Sequence, residues 1–362
     1  MKSLTIAATV VLVAAGAFVV FVPSYTGVPR AAVQVGLPQQ VQFFTGAEQS
    51  RLNQSPAPLP PAPAGGADTP AHFKNVTVLT DVGTAEFMRL QTAITAWVAS
   101  DKGCSFCHAG TDYASDAKPE KRAARVMLLM TRHLNSDWTK HLAGAGVTCY
   151  TCHRGQPVPP EIWFPSTPPP HNPFIDRQEN WRESADTVRK FFPDDSYAEY
   201  LYDGEPISVQ STTMEPSGTV SSRIEAKRIY EVMMTMSDGI GVNCGYCHNS
   251  RAFASWSQST PYRWSGYDGI RLLRDINTNY LSRIASVAPQ TRSLTTVTRL
   301  PVLPPQQVYP QTGNGLALCA TCHLGITRPL NGVNLVHDYP ELIGPARSVP
   351  VAKTTSAAPP AG

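Results

Sequence analysis

Eight cysteines occur in the 362-residue chain, and all eight sit in four Cys-x-x-Cys-His motifs. The motifs are Cys104, Cys107 and His108; Cys149, Cys152 and His153; Cys244, Cys247 and His248; and Cys319, Cys322 and His323. Two thiols at this spacing can add across the vinyl groups of one haem, and the adjoining histidine is then held where its imidazole reaches the iron. The alternatives are a zinc site or a redox-active dithiol. A zinc site gathers about four ligands from paired motifs, whereas each pair here carries its own histidine. The motifs therefore predict four covalently attached c-type haems, with His108, His153, His248 and His323 as proximal ligands, and a chain that moves electrons. No cysteine is left for a structural disulfide.

The sixth coordination position decides whether an iron passes electrons or admits a substrate. Methionine there raises the potential and histidine lowers it. Met233, shortly before motif three, is a natural donor for the third haem, in competition with Met234, Met236 and a simple packing role. Met127 and His141 precede motif two on one helical face but are fourteen residues apart, about 21 Å along a helix axis, so they cannot serve one iron. The segment before motif four, YDGIRLLRDINTNYLSRI, contains neither methionine nor histidine, so its partner comes from a distance. Outside the motifs stand His72, His133, His141, His171 and His337. Of these, His141 lies on the right face of a well-formed helix.

The elements that must position these groups read as helices, with little strand alternation. The first is expected from Thr84, as N-cap with Glu86 in the first turn, to about Ser100, with Phe87, Leu90, Ile94 and Trp97 on one face. The second runs from about Lys121 to Leu142 with the stripe Met127, Met130, Leu134, Trp138 and His141. The third runs from about Arg223 to Asp238 and breaks at Gly239. The fourth runs from about Tyr267 to Ile284. Leu134-Asn-Ser-Asp-Trp138 after motif one resembles Ile276-Asn-Thr-Asn-Tyr280 after motif three, as duplication of a two-haem unit would produce.

Proline-rich stretches at Ser55–Pro70, Gln156–Pro173 and Arg299–Gln311 resist regular structure. They divide the chain into an N-terminal anchor or signal segment (1–23), a Pro/Ala-rich spacer (24–72), a first haem-binding half (73–155), a connecting segment (156–221), a second half (222–344) and a C-terminal tail (345–362). Residues 4–22 are apolar, uncharged and long enough to cross a hydrocarbon core of roughly 30 Å, and Pro23 ends the run where a span would end. A retained membrane helix is expected over a cleaved signal peptide, with the rest of the chain outside the cytoplasm. The net charge of +3 comes without a Lys/Arg block, which sets nucleic-acid binding aside. The expected fold is mainly α.

Motif order, the methionine-bearing helices, GVTCYTCHRG (146–155), NCGYCHN (243–249), TPYR (260–263) and GIRLLRDINTNYL (269–281) together resemble the tetrahaem cytochrome subunit of purple bacterial photosynthetic reaction centres. The resemblance extends from about Phe73 to Leu342. It implies a periplasmic, non-enzymatic subunit docked on the reaction-centre core. Such a subunit re-reduces the photo-oxidised special pair with electrons from a soluble carrier, a small c-type cytochrome or a high-potential iron-sulfur protein. It also implies Met127, Met233 and His141 as sixth ligands of the second, third and fourth haems, and Arg263 close to the third.

Two features depart from that family. Its sixth ligand to the first haem is a methionine, but alignment of AEFMRLQTAITAWV puts Gln91 at that place. Met88 is one turn earlier and roughly 60° round, so the first haem is Met88-ligated, Gln-ligated or five-coordinate. Members also often mature as lipoproteins on a cysteine that this chain lacks. Two competing readings are a membrane-anchored quinol-oxidising tetrahaem cytochrome and a multihaem reductase with an open first haem. Asp194 and Asp195 could help to dock a basic carrier.

Overall fold

The helices that the periodicity predicts are all present in the computed structural model, with different ends. The structure describes residues 47–63, 65–163, 197, 199–205, 207, 223–287, 291–292, 311–312 and 315–344. The apolar run at 4–22, His171, Asp194, Asp195 and the tail at 345–362 lie outside these residues. Among the described residues no helix is long and apolar enough to cross a membrane.

Helix α1 spans Thr84–Val98 and buries Leu90, Ala93 and Trp97. Its cap is Gly83 and not Thr84. The Glu86 carboxylate accepts from the Gly83 N–H at 3.1 Å, and Asp68 accepts from both the N–H and the hydroxyl of Thr84, at 2.7 and 2.8 Å. Two carboxylates thus serve the unpaired donors and positive end of the helix, so Thr84 enters the first turn.

Helix α2 spans Pro119–Asp137, starting on a proline whose missing N–H costs nothing there. It stops at Trp138, and a separate turn, α3, covers Thr139–Leu142. The expected single helix is therefore broken. The indole Nε1 of Trp138 donates to Asp275 at 2.7 Å, so the break coincides with an anchor onto the second half.

Motif two forms α4, Cys149–His153. Helix α5, Arg223–Ile240, runs through Gly239 instead of stopping before it. A Cβ on Gly239 would lie 2.8 Å from the Ala320 nitrogen, so this glycine admits a closely packed backbone and does not end a helix. Helix α6 covers Tyr262–Asp275, starting earlier than expected. A π-helical turn, Ile276–Leu281, and a helix over Ser282–Val287 continue it. Motif four forms α7, Cys319–His323. Motifs one and three are 3₁₀ turns, Cys104–Phe106 and Cys244–Tyr246. Extended structure among the described residues is a two-residue antiparallel pair, Thr291–Arg292 with Gln311–Thr312, and single bridges such as Trp163 with Leu316.

Several hydrogen bonds occur twice. Gly155 N–H donates to Trp97 O and Gly325 N–H donates to Gly239 O, each at 2.8 Å, tying α4 to α1 and α7 to α5. The Asn135 amide donates to Val147 O at 2.9 Å and accepts from its N–H at 2.7 Å. Asn277 does the same with Ala317, at 3.1 and 2.8 Å. Val147 and Ala317 each stand two residues before the first cysteine of a motif. Thr151 and Thr321 accept from the N–H groups of Thr148 and Leu318, both at 2.9 Å, capping the two motif helices from within.

Two apolar clusters form the core. One joins α5, α6 and the π turn through Val232, Ile270, Leu273, Ile276 and Leu281. The other joins α1 to the far end of the chain through Leu90, Trp97, Tyr339 and Leu342. The Tyr339 ring meets Trp97 edge-on at 4.7 Å and lies 4.1 Å from the Arg89 guanidinium carbon. Asn53, inside the stretch expected as a spacer, is fully buried and donates to Leu324 O at 3.3 Å.

Candidate haem-binding site

All four motif histidines are fixed in the same way. His108 Nδ1 meets Tyr113 O at 3.2 Å and His248 Nδ1 meets Phe253 O at 3.0 Å. His153 Nδ1 meets Gln156 O and His323 Nδ1 meets Ile326 O, both at 2.9 Å. A carbonyl can only accept, so each Nδ1 carries the proton and each Nε2 keeps its lone pair. That is the tautomer a metal-ligating histidine requires, with the backbone carbonyl fixing the ring and raising its basicity. The carbonyl is five residues on in motifs one and three and three residues on in motifs two and four, matching their 3₁₀ and α-helical backbones. In motifs two and four the α-helix ends on a left-handed residue, Arg154 (φ 52°) and Leu324 (φ 47°), which swings the carbonyl three residues beyond the histidine into reach.

Between these elements lies a cavity of about 1850 Å³ whose walls include the histidines of motifs one, two and four. A single small-molecule site occupies roughly 300–1,000 Å³, so this space suits more than one large apolar group. His141 reaches it from α3. The His141 and His323 ring centroids are 6.2 Å apart and inclined at 72°. A metal ion held between two imidazole nitrogens at about 2.0–2.1 Å each would separate the ring centroids by roughly 6 Å. His141 Nδ1 is taken up by Ser265 O at 3.0 Å, so its free Nε2 matches that of His323. Burial pushes the His323 pKa down to about 4 and lowers that of His141, keeping both imidazoles neutral and able to ligate.

The remaining residues singled out in the sequence are distributed as follows. Met127 lines the cavity from α2. Gln91 and the half-exposed Met88 both line it from α1. Met233 is half-buried and packs against the larger apolar cluster, while Met236, one turn on, reaches the cavity wall. Arg263 donates to Phe253 O at 3.2 Å, the carbonyl that fixes His248, and lies 4.1 Å from the Trp256 ring centroid. Arg263 therefore stands beside motif three. Burial raises the thiol pKa of Cys107 and Cys247 to about 11, and of Cys149 and Cys319 to about 12. Among the described residues no three His, Cys, Asp or Glu side chains gather as a metal-ion site.

One residue with a structural role escaped the sequence. Arg154 donates to Tyr150 O at 2.7 Å, to Asn53 Oδ1 at 3.2 Å and to Cys322 O at 3.0 Å, joining motif two to motif four. Its only signal was its place after His153 in GVTCYTCHRG.

The described residues of the cavity fall within a match to a family model for the photosynthetic reaction centre cytochrome c subunit, which covers residues 26–343. The photosynthetic reaction center cytochrome c subunit of Rubrivivax gelatinosus is 37% identical over 360 residues, 98% of this chain and 92% of that one. The protein of the same name from Thermochromatium tepidum is 36% identical over 293 residues, 81% of this chain and 69% of that one. The one from Roseobacter denitrificans is 33% identical over 300 residues, 78% and 76%. The chain belongs to the family of photosynthetic reaction centre cytochrome c subunits.

Proposed function

We propose that the chain carries electrons through four c-type haems to the photo-oxidised special pair of a reaction-centre core, taking them from a soluble carrier. The haems are held at Cys104/Cys107, Cys149/Cys152, Cys244/Cys247 and Cys319/Cys322. The observation that carries this reading is the common state of His108, His153, His248 and His323, each with Nδ1 on a backbone carbonyl and Nε2 left to ligate. Bound haem supplies the reversible one-electron couple. The chain's residues would hold it rigidly, supply sixth ligands to the second, third and fourth haems and keep water out of an apolar interior, which limits reorganisation on electron transfer.

Met127 and Met233 ligate the second and third haems, and His141 the fourth. The separation of the His141 and His323 rings supports the last of these most directly. The repeated bonds of Asn135 and Asn277, and of Gly155 and Gly325, support two pseudo-repeated two-haem halves, residues 73–155 and 222–344. The relatives' printed names support docking on a reaction-centre core; the subunit sits at the periplasmic face, with the apolar, uncharged run at residues 4–22 as its membrane anchor. The donor is a small c-type cytochrome or a high-potential iron-sulfur protein, and the subunit is a carrier and not an enzyme.

The test is purification of the native membrane complex, with haem counted per chain and haem oxidation followed after a flash. Four haems, bacteriochlorophyll in the complex and flash-induced haem oxidation are expected. Absence of bacteriochlorophyll, or haems that stay reduced after the flash, would overturn the reading.

A further inference from the structure

The two sets of repeated hydrogen bonds share one register. Trp97 corresponds to Gly239 and Asn135 to Asn277, and in each case the two positions are 142 apart, 97 to 239 and 135 to 277. The same register carries Gln91 onto Met233 and Met127 onto Gly269. The second half therefore has a glycine where the first half has its methionine before motif two.

Nothing in the backbone asks for that glycine. Gly269 lies inside α6 with ordinary helical geometry, where glycine is a poor choice. What occupies the space is His141. A Cβ on Gly269 would lie 2.8 Å from His141 Cε1 and 3.4 Å from both Nδ1 and Nε2. The imidazole rests against bare backbone, its Nδ1 bonded to Ser265 O one helical turn before Gly269. Its far side faces His323.

We infer that Gly269 is the positioning residue that gives the fourth haem its second histidine: the side chain missing at the place corresponding to Met127 is the space in which His141 sits. This deepens the reading of His141 as the fourth haem's ligand and rests on it. The fourth position is in effect a methionine position emptied and refilled from the other half of the chain. Its ligand set is decided by which of two residues, 269 or 141, supplies a side chain.

The test uses the assembled holoprotein and four forms: wild type, Gly269→Ala, His141→Ala, and His141→Ala with Gly269→Met. Readouts are the sulfur-to-iron charge-transfer absorption, carbon monoxide binding by the reduced protein, and the four midpoint potentials. His141→Ala should let one additional haem bind carbon monoxide. Adding Gly269→Met should abolish that binding, add one methionine-ligation band and raise the fourth midpoint above its wild-type value. Gly269→Ala alone should push His141 off the iron and again expose one more haem. If Gly269→Ala fails to mature, the double variant still decides, because removing His141 removes the clash. A double variant that binds carbon monoxide like His141→Ala, with no new band, overturns the role of Gly269. No change in any haem on His141→Ala overturns the ligand assignment beneath it.

Discussion

Replacing Asn277 should loosen the segment that leads into motif four. Asn277 is fully buried in the π turn. Its amide donates to Leu201 O at 2.9 Å and Ala317 O at 3.1 Å, and accepts from the Ala317 N–H at 2.8 Å. Leucine of similar volume fills the space but leaves one N–H and two carbonyls without partners. Three lost bonds at about 1 kcal/mol each give roughly 3 kcal/mol, and the desolvation of groups left unpaired lifts this towards about 5 kcal/mol. The loss falls on the segment leading into Cys319, so the fourth haem should respond first. Guanidinium unfolding of the holoprotein, followed by haem absorbance and by far-ultraviolet circular dichroism, measures the total, and spectropotentiometry identifies the haem affected. Asn135→Leu breaks the corresponding bonds to Val147 and one to Leu342 O at 2.9 Å, so it should cost a similar amount and disturb the second haem instead. An Asn277→Leu protein within about 0.5 kcal/mol of wild type, the usual range for surface changes, would refute the reasoning.

Other outcomes follow from the same geometry. The hydrogen bond that His133 donates to the Asp275 carboxylate raises the His133 pKa. Burial pushes Asp275 up, but hydrogen bonds from His133, Asn279 and Trp138 outweigh it and lower its pKa overall. The His133 contribution is present below the ordinary imidazole range and lost as pH rises through the raised value; that of Asp275 is present above the ordinary carboxylate range and lost as pH falls through the lowered one. The stability contributed by this pair should therefore be greatest at about pH 4–6.5, and Asp275→Asn should remove that contribution from denaturation midpoints measured against pH. Gln91→Met should raise the first haem's midpoint if Met88 is not its ligand, and a lowered midpoint with Met88→Ala alone would assign Met88 to that iron. A Cβ on Gly241, at φ 69°, would overlap the Gly325 carbonyl, so Gly241→Ala should lower the yield of mature holoprotein, read by haem staining. Chain produced without haem should lack cooperative structure by circular dichroism, since the cavity that haem fills adjoins both apolar clusters.

The sequence made the attachment chemistry plain because the bonds are covalent and local: two thiols and a histidine within five residues carry their own geometry. It also made the helices plain, but their ends depended on partners remote in the chain. Asp68 caps α1 from sixteen residues upstream, within a proline-rich stretch that carries no helical period. Gly239 has the appearance of a helix stop, and only the nearby backbone of Ala320 explains why the helix continues. The likeness of Leu134–Trp138 to Ile276–Tyr280 was visible as a string. That its two asparagines make matching bonds to the approaches of motifs two and four was not, because side-chain partners cannot be read from a string. His141 was picked out as part of one long helix. It belongs to a separate turn beyond a break at Trp138, so its distance from Met127 along a continuous axis was the wrong measure.

The Tyr339–Leu342 segment also bears on the order of assembly. The Tyr339 hydroxyl accepts from Leu59 N–H at 2.9 Å, and Arg89 donates to Asp338 O at 2.7 Å across 249 residues. Synthesis delivers the N-terminus first, so the apolar cluster around Leu90 and Trp97 lacks Tyr339 and Leu342 until most of the polypeptide has been made. Contacts so distant along the chain close slowly. Throughout that interval Cys149, which packs against this cluster, stays uncovered on that side, and arrival of the C-terminal segment completes its packing.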